Sequence, residues 1–93
     1  MNFVKVNLEY FKKGLKPLDG LILSVIESYN NNKRLCYQTN DQFAEMFSVT
    51  GMTVSNSIDK LEELGLITRN THVIKKDGKF IKRRILTIVQ SAQ

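Results

Sequence analysis

Six cations crowd into the ten residues from 75 to 84: Lys75, Lys76, Lys79, Lys82, Arg83 and Arg84, opposed only by Asp77. That window carries the whole formal net charge of +5, because the other 83 residues hold eight basic and eight acidic side chains. A cationic patch on a neutral body is the electrostatic footprint of a polyanion binder. The same cluster also suits a hairpin kept soluble by charges turned to water.

Other reactive side chains give little to build chemistry on. Cys36 and His72 are the single cysteine and the single histidine, so neither an internal disulfide nor a metal site of the usual Cys/His spacing can form. Cys36 lies in "RLCYQT" and reads as a small buried hydrophobe rather than a nucleophile. His72 falls on a strand pattern with no serine–histidine–aspartate set around it. Asp41, Glu45 and Asp59 lack the spacing of a metal-dependent nuclease, and no glycine loop cradles phosphate. The chain reads as a non-enzyme with no cofactor, no metal and no evident small-molecule ligand.

The elements that position the basic cluster follow from periodicity and punctuation. Ninety-three residues, 42% apolar and 25% charged, fit one globular domain over 1–93. No apolar run approaches a membrane span, and "MNFVKVNLEYFKKG" lacks the unbroken apolar stretch of a secretory signal, so a cytoplasmic protein with no membrane partner is expected. Residues 1–14 read as an arm, with a short strand at "NFVKVN" and one or two helical turns ending at Gly14. In "LKPLDGLILSVIESYNNN", Pro17 suits a first helical turn, and Leu18, Leu21, Ile22, Val25, Ile26 and Tyr29 form an apolar stripe. Leu15 is placed to staple that helix start, and "RLCYQ" reads as extended with one or two bridges.

"TNDQ" is a capping box, with Thr39 capping Gln42 and Gln42 reaching back. It opens a brief helix that turns Phe43, Ala44 and Phe47 inward and stops at "SVT". Thr50 caps a second helix through Leu64, with Val54, Ile58 and Leu61 on one face and Gly65 just beyond its end. From Leu66 the period becomes two. "LITRNTHVI" and "FIKRRILTIV" flank Asp77-Gly78, a type I′ hairpin signal that pairs Lys76 with Lys79, Ile74 with Ile81 and Ile67 with Ile88.

This order, with "TNDQFAEMFSVTGMTVSNSIDKLEELGLITR", resembles the winged helix-turn-helix superfamily over roughly residues 15–89. The marks are Ala44 inside the first motif helix, Val49 at the turn, Thr50 at the second cap and Val54 toward Ala44. Ser48 stands where such folds often carry a glycine of positive φ. The resemblance implies an α+β, mainly α fold, with a three-helix core, a helix-turn-helix at 39–64 and a wing at 66–89. Such segments are frequent in bacterial regulators and in the replication proteins of plasmids and phages.

The resemblance also implies roles. The helix 50–64 would lie in the major groove of double-stranded DNA, with Met52, Thr53, Asn56 and Lys60 toward base edges. Thr39, Thr50, Ser55, Lys75, Lys76, Lys79, Lys82, Arg83 and Arg84 would contact the backbone. Asp59, Glu62 and Glu63 oppose Lys60 on that helix, so the wing must supply most of the attraction. One module binds weakly, which implies a homodimer or a partner protein, with the apolar arm from Phe3 to Phe11 either as the interface or as a cover for the core. The alternative is a winged-helix protein–protein adaptor that uses the acidic face of helix 50–64.

Overall fold

The computed structural model describes residues 14–89. The readings made for the N-terminal arm before Gly14, including the interface at Phe3 to Phe11, lie outside them. Among the described residues three helices precede one antiparallel hairpin: α1 (Pro17–Asn31), α2 (Asn40–Phe47), α3 (Gly51–Glu63), β1 (Ile67–Lys76) and β2 (Lys79–Ile88). This is a winged helix-turn-helix, mainly α with a two-stranded wing.

The caps act as their residue types dictate. Thr39 Oγ1 accepts the Gln42 N–H at 3.1 Å, and Gln42 Oε1 accepts the Thr39 N–H at 2.9 Å, which closes the capping box of α2. Thr50 Oγ1 accepts the Thr53 N–H at 3.2 Å at the start of α3. Between them Ser48 takes the left-handed conformation, φ 56° and ψ 46°, so a non-glycine residue makes the elbow. Val49 N–H then bonds to the Ala44 carbonyl at 3.0 Å and draws Val49 back to the core.

The core lies where the three helices meet the wing base. Phe43, Val54, Ile58 and Leu61 are fully buried with Ile22, Leu23, Ile26, Cys36, Ile67 and Leu86. Leu23 joins this core although the stripe read from the sequence omitted it, while Leu21 is only half-buried. The apolar arc of α1 is therefore wider than one stripe, because α3 and β2 both pack on it. Leu15 is also buried, as the staple reading expects.

The wing adopts the register expected from Asp77-Gly78, with Lys76↔Lys79, Ile74↔Ile81 and Ile67↔Ile88 paired. Positive φ at Asp77 and Gly78, 54° and 76°, fits a type I′ turn. Cys36 makes one bridge with Leu86, its carbonyl accepting the Leu86 N–H at 3.0 Å. Asn30 Oδ1 accepts the Ile88 N–H at 2.8 Å, which fastens the wing to the end of α1.

A buried polar latch joins α1 to α3. Asp19 is 3% exposed and accepts hydrogen bonds from the Ser57 hydroxyl and from the Lys16 N–H at 2.9 Å. Lys60 Nζ lies 3.1 Å from its second oxygen and also donates to the Gly14 carbonyl at 2.9 Å. Burial alone would raise the Asp19 pKa, but these donors outweigh it and hold the carboxyl below its ordinary range.

Two stability outcomes follow. A depressed folded pKa means that the latch contributes fully above the ordinary aspartate value of 3.8 and is lost as pH falls through the lower folded value. Urea melts at pH 7 and near pH 3 should show that loss, and Asp19→Asn should lower stability at pH 7 and flatten the pH dependence. Ser48→Gly should raise stability by roughly 0.5–1 kcal/mol, because glycine relieves a left-handed serine at some cost in unfolded-chain entropy; no gain in a denaturant melt would mean the elbow holds no such strain.

Candidate nucleic-acid interface

Burying Val54, Ile58 and Leu61 fixes the opposite face of α3 outward. That face shows Met52, 76% exposed, together with Thr53, Asn56 and Asp59. Asn56 lies one helical turn from Met52 and Thr53 on one side and from Asp59 on the other, the spacing from which a helix reads neighbouring base edges. Asn56 and Thr53 also line a cleft of about 270 Å³ between α3 and the start of α1, with Lys16 at its rim. Ser55 is half-buried at the flank, and Ser57 is taken up by the Asp19 latch.

The helix start is pre-organised for an anion. The Thr50 and Thr53 hydroxyl oxygens lie 2.8 Å apart and share one hydrogen. Two exposed hydroxyls beside the first N–H groups of α3 suit a phosphate oxygen.

Two of the cations expected to meet DNA have partners within the fold. Lys60 is drawn to Asp19 and to the Gly14 carbonyl, so its ammonium is engaged at the start of α1. Arg84 donates to Asn40 Oδ1 at 2.5 Å and to the Gln38 carbonyl at 2.6 Å, strapping β2 to the start of α2. Burial lowers its guanidinium pKa from the ordinary value, as it does for a group withdrawn from water. Lys75, Lys76, Lys79, Lys82 and Arg83 remain exposed, along a wing whose residues 70–80 are all exposed.

Thr39, Lys82 and Arg83 surround one concavity of about 490 Å³ between the start of α2 and β2, with Arg84 in its wall and Asp41 at its edge. The structure thus brings the start of α2 and wing cations together around one open space.

Arg69 escaped the sequence reading. Its guanidinium bonds Asp59 at 2.8 Å and Glu62 at 2.6 Å on the outward side of α3. The pairing holds Glu62 below the usual glutamate range, chiefly through the hydrogen bond, and raises Arg69 further above its own. Two acids that would repel DNA are therefore partly neutralised by the first wing strand. The available signal was Arg69 two residues after the first buried wing residue, ten positions from Asp59, a separation that only the α3–β1 turn brings within reach.

Cys36 takes no part in such an interface, whereas His72 lies on the wing opposite Arg83. His72 is exposed on β1, and Cys36 is fully buried, with burial pushing its thiol pKa up. Among the described residues no group of three or more potential metal ligands comes together, and no helix is long and apolar enough to cross a membrane.

The fold and this face define a helix-turn-helix protein of the winged, DNA-binding class. A family model described as a helix-turn-helix domain matches residues 13–67, more than half of the chain, and the chain belongs to that family. No curated protein and no solved structure gives a significant match.

Arg69→Ala should weaken duplex binding roughly three- to tenfold by exposing Asp59 and Glu62 to the phosphates. Adding Asp59→Asn in that background should restore part of the affinity. Titration of a labelled duplex checks both; unchanged affinity in Arg69→Ala would mean that these acids do not face DNA.

Proposed function

We propose that this chain is a sequence-preferring double-stranded DNA-binding protein, acting as a transcriptional regulator or as a replication or transfer accessory factor of a plasmid or phage. The observation that carries the reading is the outward face of α3, which exposes Met52, Thr53 and Asn56 beside a wing whose lysines are all free to solvent. Asn56 serves as the principal base reader, since an amide can pair with the adenine edge. Met52 and the Thr53 methyl contact thymine methyls, while Thr39, Thr50 and Ser55 hold phosphates. Lys75, Lys76 and Lys79 grip the backbone or the adjacent minor groove, and Lys82 and Arg83 serve the concavity by α2. Lys60 and Arg84 act in this scheme as braces that hold α3 and β2 in place.

A single module of this size makes few phosphate contacts, so the functional species is a homodimer or a complex with a partner protein. The adaptor alternative relies on an acidic α3, and the Arg69 pairs blunt two of its acids.

Lys75, Lys76 and Lys79 replaced together by alanine should weaken binding to every duplex and reduce the slope of log affinity against log salt by about 3. Asn56→Ala should cost roughly 1–3 kcal/mol on a duplex selected from a random pool and little on unselected DNA. Equal losses on both duplexes would remove Asn56 as a reader. An absence of salt-dependent duplex binding by the unaltered chain would favour the adaptor.

A further inference from the structure

Phe80 is the most exposed aromatic side chain among the described residues, at 74%. It sits next to the tip of the wing, one residue after Lys79 and directly opposite Lys75 across the strand pair. Val73, 60% exposed, lies diagonally across the same face of the ribbon. Lys82 is the cross-strand partner of Val73, so the two apolar side chains stand among lysines. By the alternation of the strands, this face also carries Arg69, the residue that reaches α3. Arg84, which reaches the start of α2, lies on this face too, so the ring projects from the side of the ribbon turned toward the helix-turn-helix, beyond the last buried residues of the wing.

An exposed aromatic ring is common enough on protein surfaces to need no explanation by itself. Its setting narrows the choice of ligand. Cations ringing an apolar group disfavour a purely apolar partner and favour a polyanion that also offers an apolar surface; the helix-turn-helix beside it favours a nucleic acid over an anionic lipid surface. A nucleic acid has both, in its phosphates and its base faces. The two-residue turn at Asp77-Gly78 closes the tip with positive φ at both positions. From Arg69 to the tip, seven residues of strand extend for about 23 Å. That length exceeds the roughly 12 Å width of a major groove, so a wing anchored beside α3 is long enough to extend to a neighbouring groove.

We infer that Phe80 is an apolar wedge: it enters the minor groove beside the α3 site and stacks at a base-pair step of duplex DNA, backed by Val73 and held there by Lys75 and Lys82. This rests on the DNA-binding reading and adds to it a site for unstacking and bending the duplex. Flexible steps, such as pyrimidine–purine steps, should be preferred at that position even though no hydrogen bond reads them.

The chain contains no tryptophan, so Phe80→Trp supplies a single fluorescent reporter at the tip. Bound to a duplex selected from a random pool, the Phe80→Trp protein should lose indole emission and become shielded from acrylamide. A 2-aminopurine placed at the contacted step should brighten as it unstacks. Phe80→Ala should bind roughly tenfold more weakly to that duplex while keeping the same salt slope, and Phe80→Leu should recover part of the loss. The wedge is overturned if duplex binding is salt-dependent but the tryptophan stays as accessible as in the free protein and Phe80→Ala binds unchanged; the groove reading then survives. Shielding by single-stranded DNA alone would also overturn it, since the commitment is to a duplex step. If the unaltered chain shows no salt-dependent duplex binding, both readings fall together.

Discussion

The structure depends on which way α3 is turned. Val54, Ile58 and Leu61 are withdrawn completely from water, and each such burial is worth roughly 1.5–3 kcal/mol. A rotation that hid Asn56 or Met52 would have to expose those residues and break the Asp19–Ser57 bond. Apolar burial fixes the face approximately; the Asp19–Ser57 bond and the Lys60 pair fix it more sharply, because buried polar groups tolerate little misplacement. The helix therefore meets a ligand as a rigid surface already oriented.

The wing is tied to that helix at its base and free beyond it. Arg69 links β1 to Asp59 and Glu62, Arg84 links β2 to the start of α2, and Asn30 holds Ile88. Past these anchors the ribbon has solvent on both faces from Thr71 to Phe80. Cations spent on bracing the fold are the ones near its base, and cations left for a ligand are the ones toward its tip. This division resolves the apparent conflict between an acidic helix and a polyanionic partner, since the helix's charge is partly cancelled where the two elements meet.

Local chemistry made much of the fold legible in the sequence. The Thr39–Gln42 capping box, the Thr50 cap, the left-handed Ser48 and the wing register each depend on residues a few positions apart, and each has the form expected. What escaped were long-range pairings. Ser57 finds Asp19 across 38 residues and Arg84 finds Gln38 across 46, and no local pattern announces either. Lys60 looked like part of an outward face because helical spacing alone cannot show that a buried carboxylate lies beside it. Phe80 was passed over because, in a strand pattern, an apolar residue is assumed to face a core, whereas here the ribbon outruns the body.

The central claim is that α3 offers its outward face to a major groove while the wing lies in the neighbouring minor groove. Cys36 is fully buried, so a cysteine introduced at Met52 or at Lys75 would be the accessible thiol among the described residues. Disulfide trapping against a selected duplex with a thiol tether on a base edge tests the geometry directly. The groove-and-wing arrangement predicts that Met52→Cys is captured by tethers in the major groove and Lys75→Cys by tethers in the minor groove of the same duplex. Capture of both from one groove, or of Lys75→Cys alone, would contradict it.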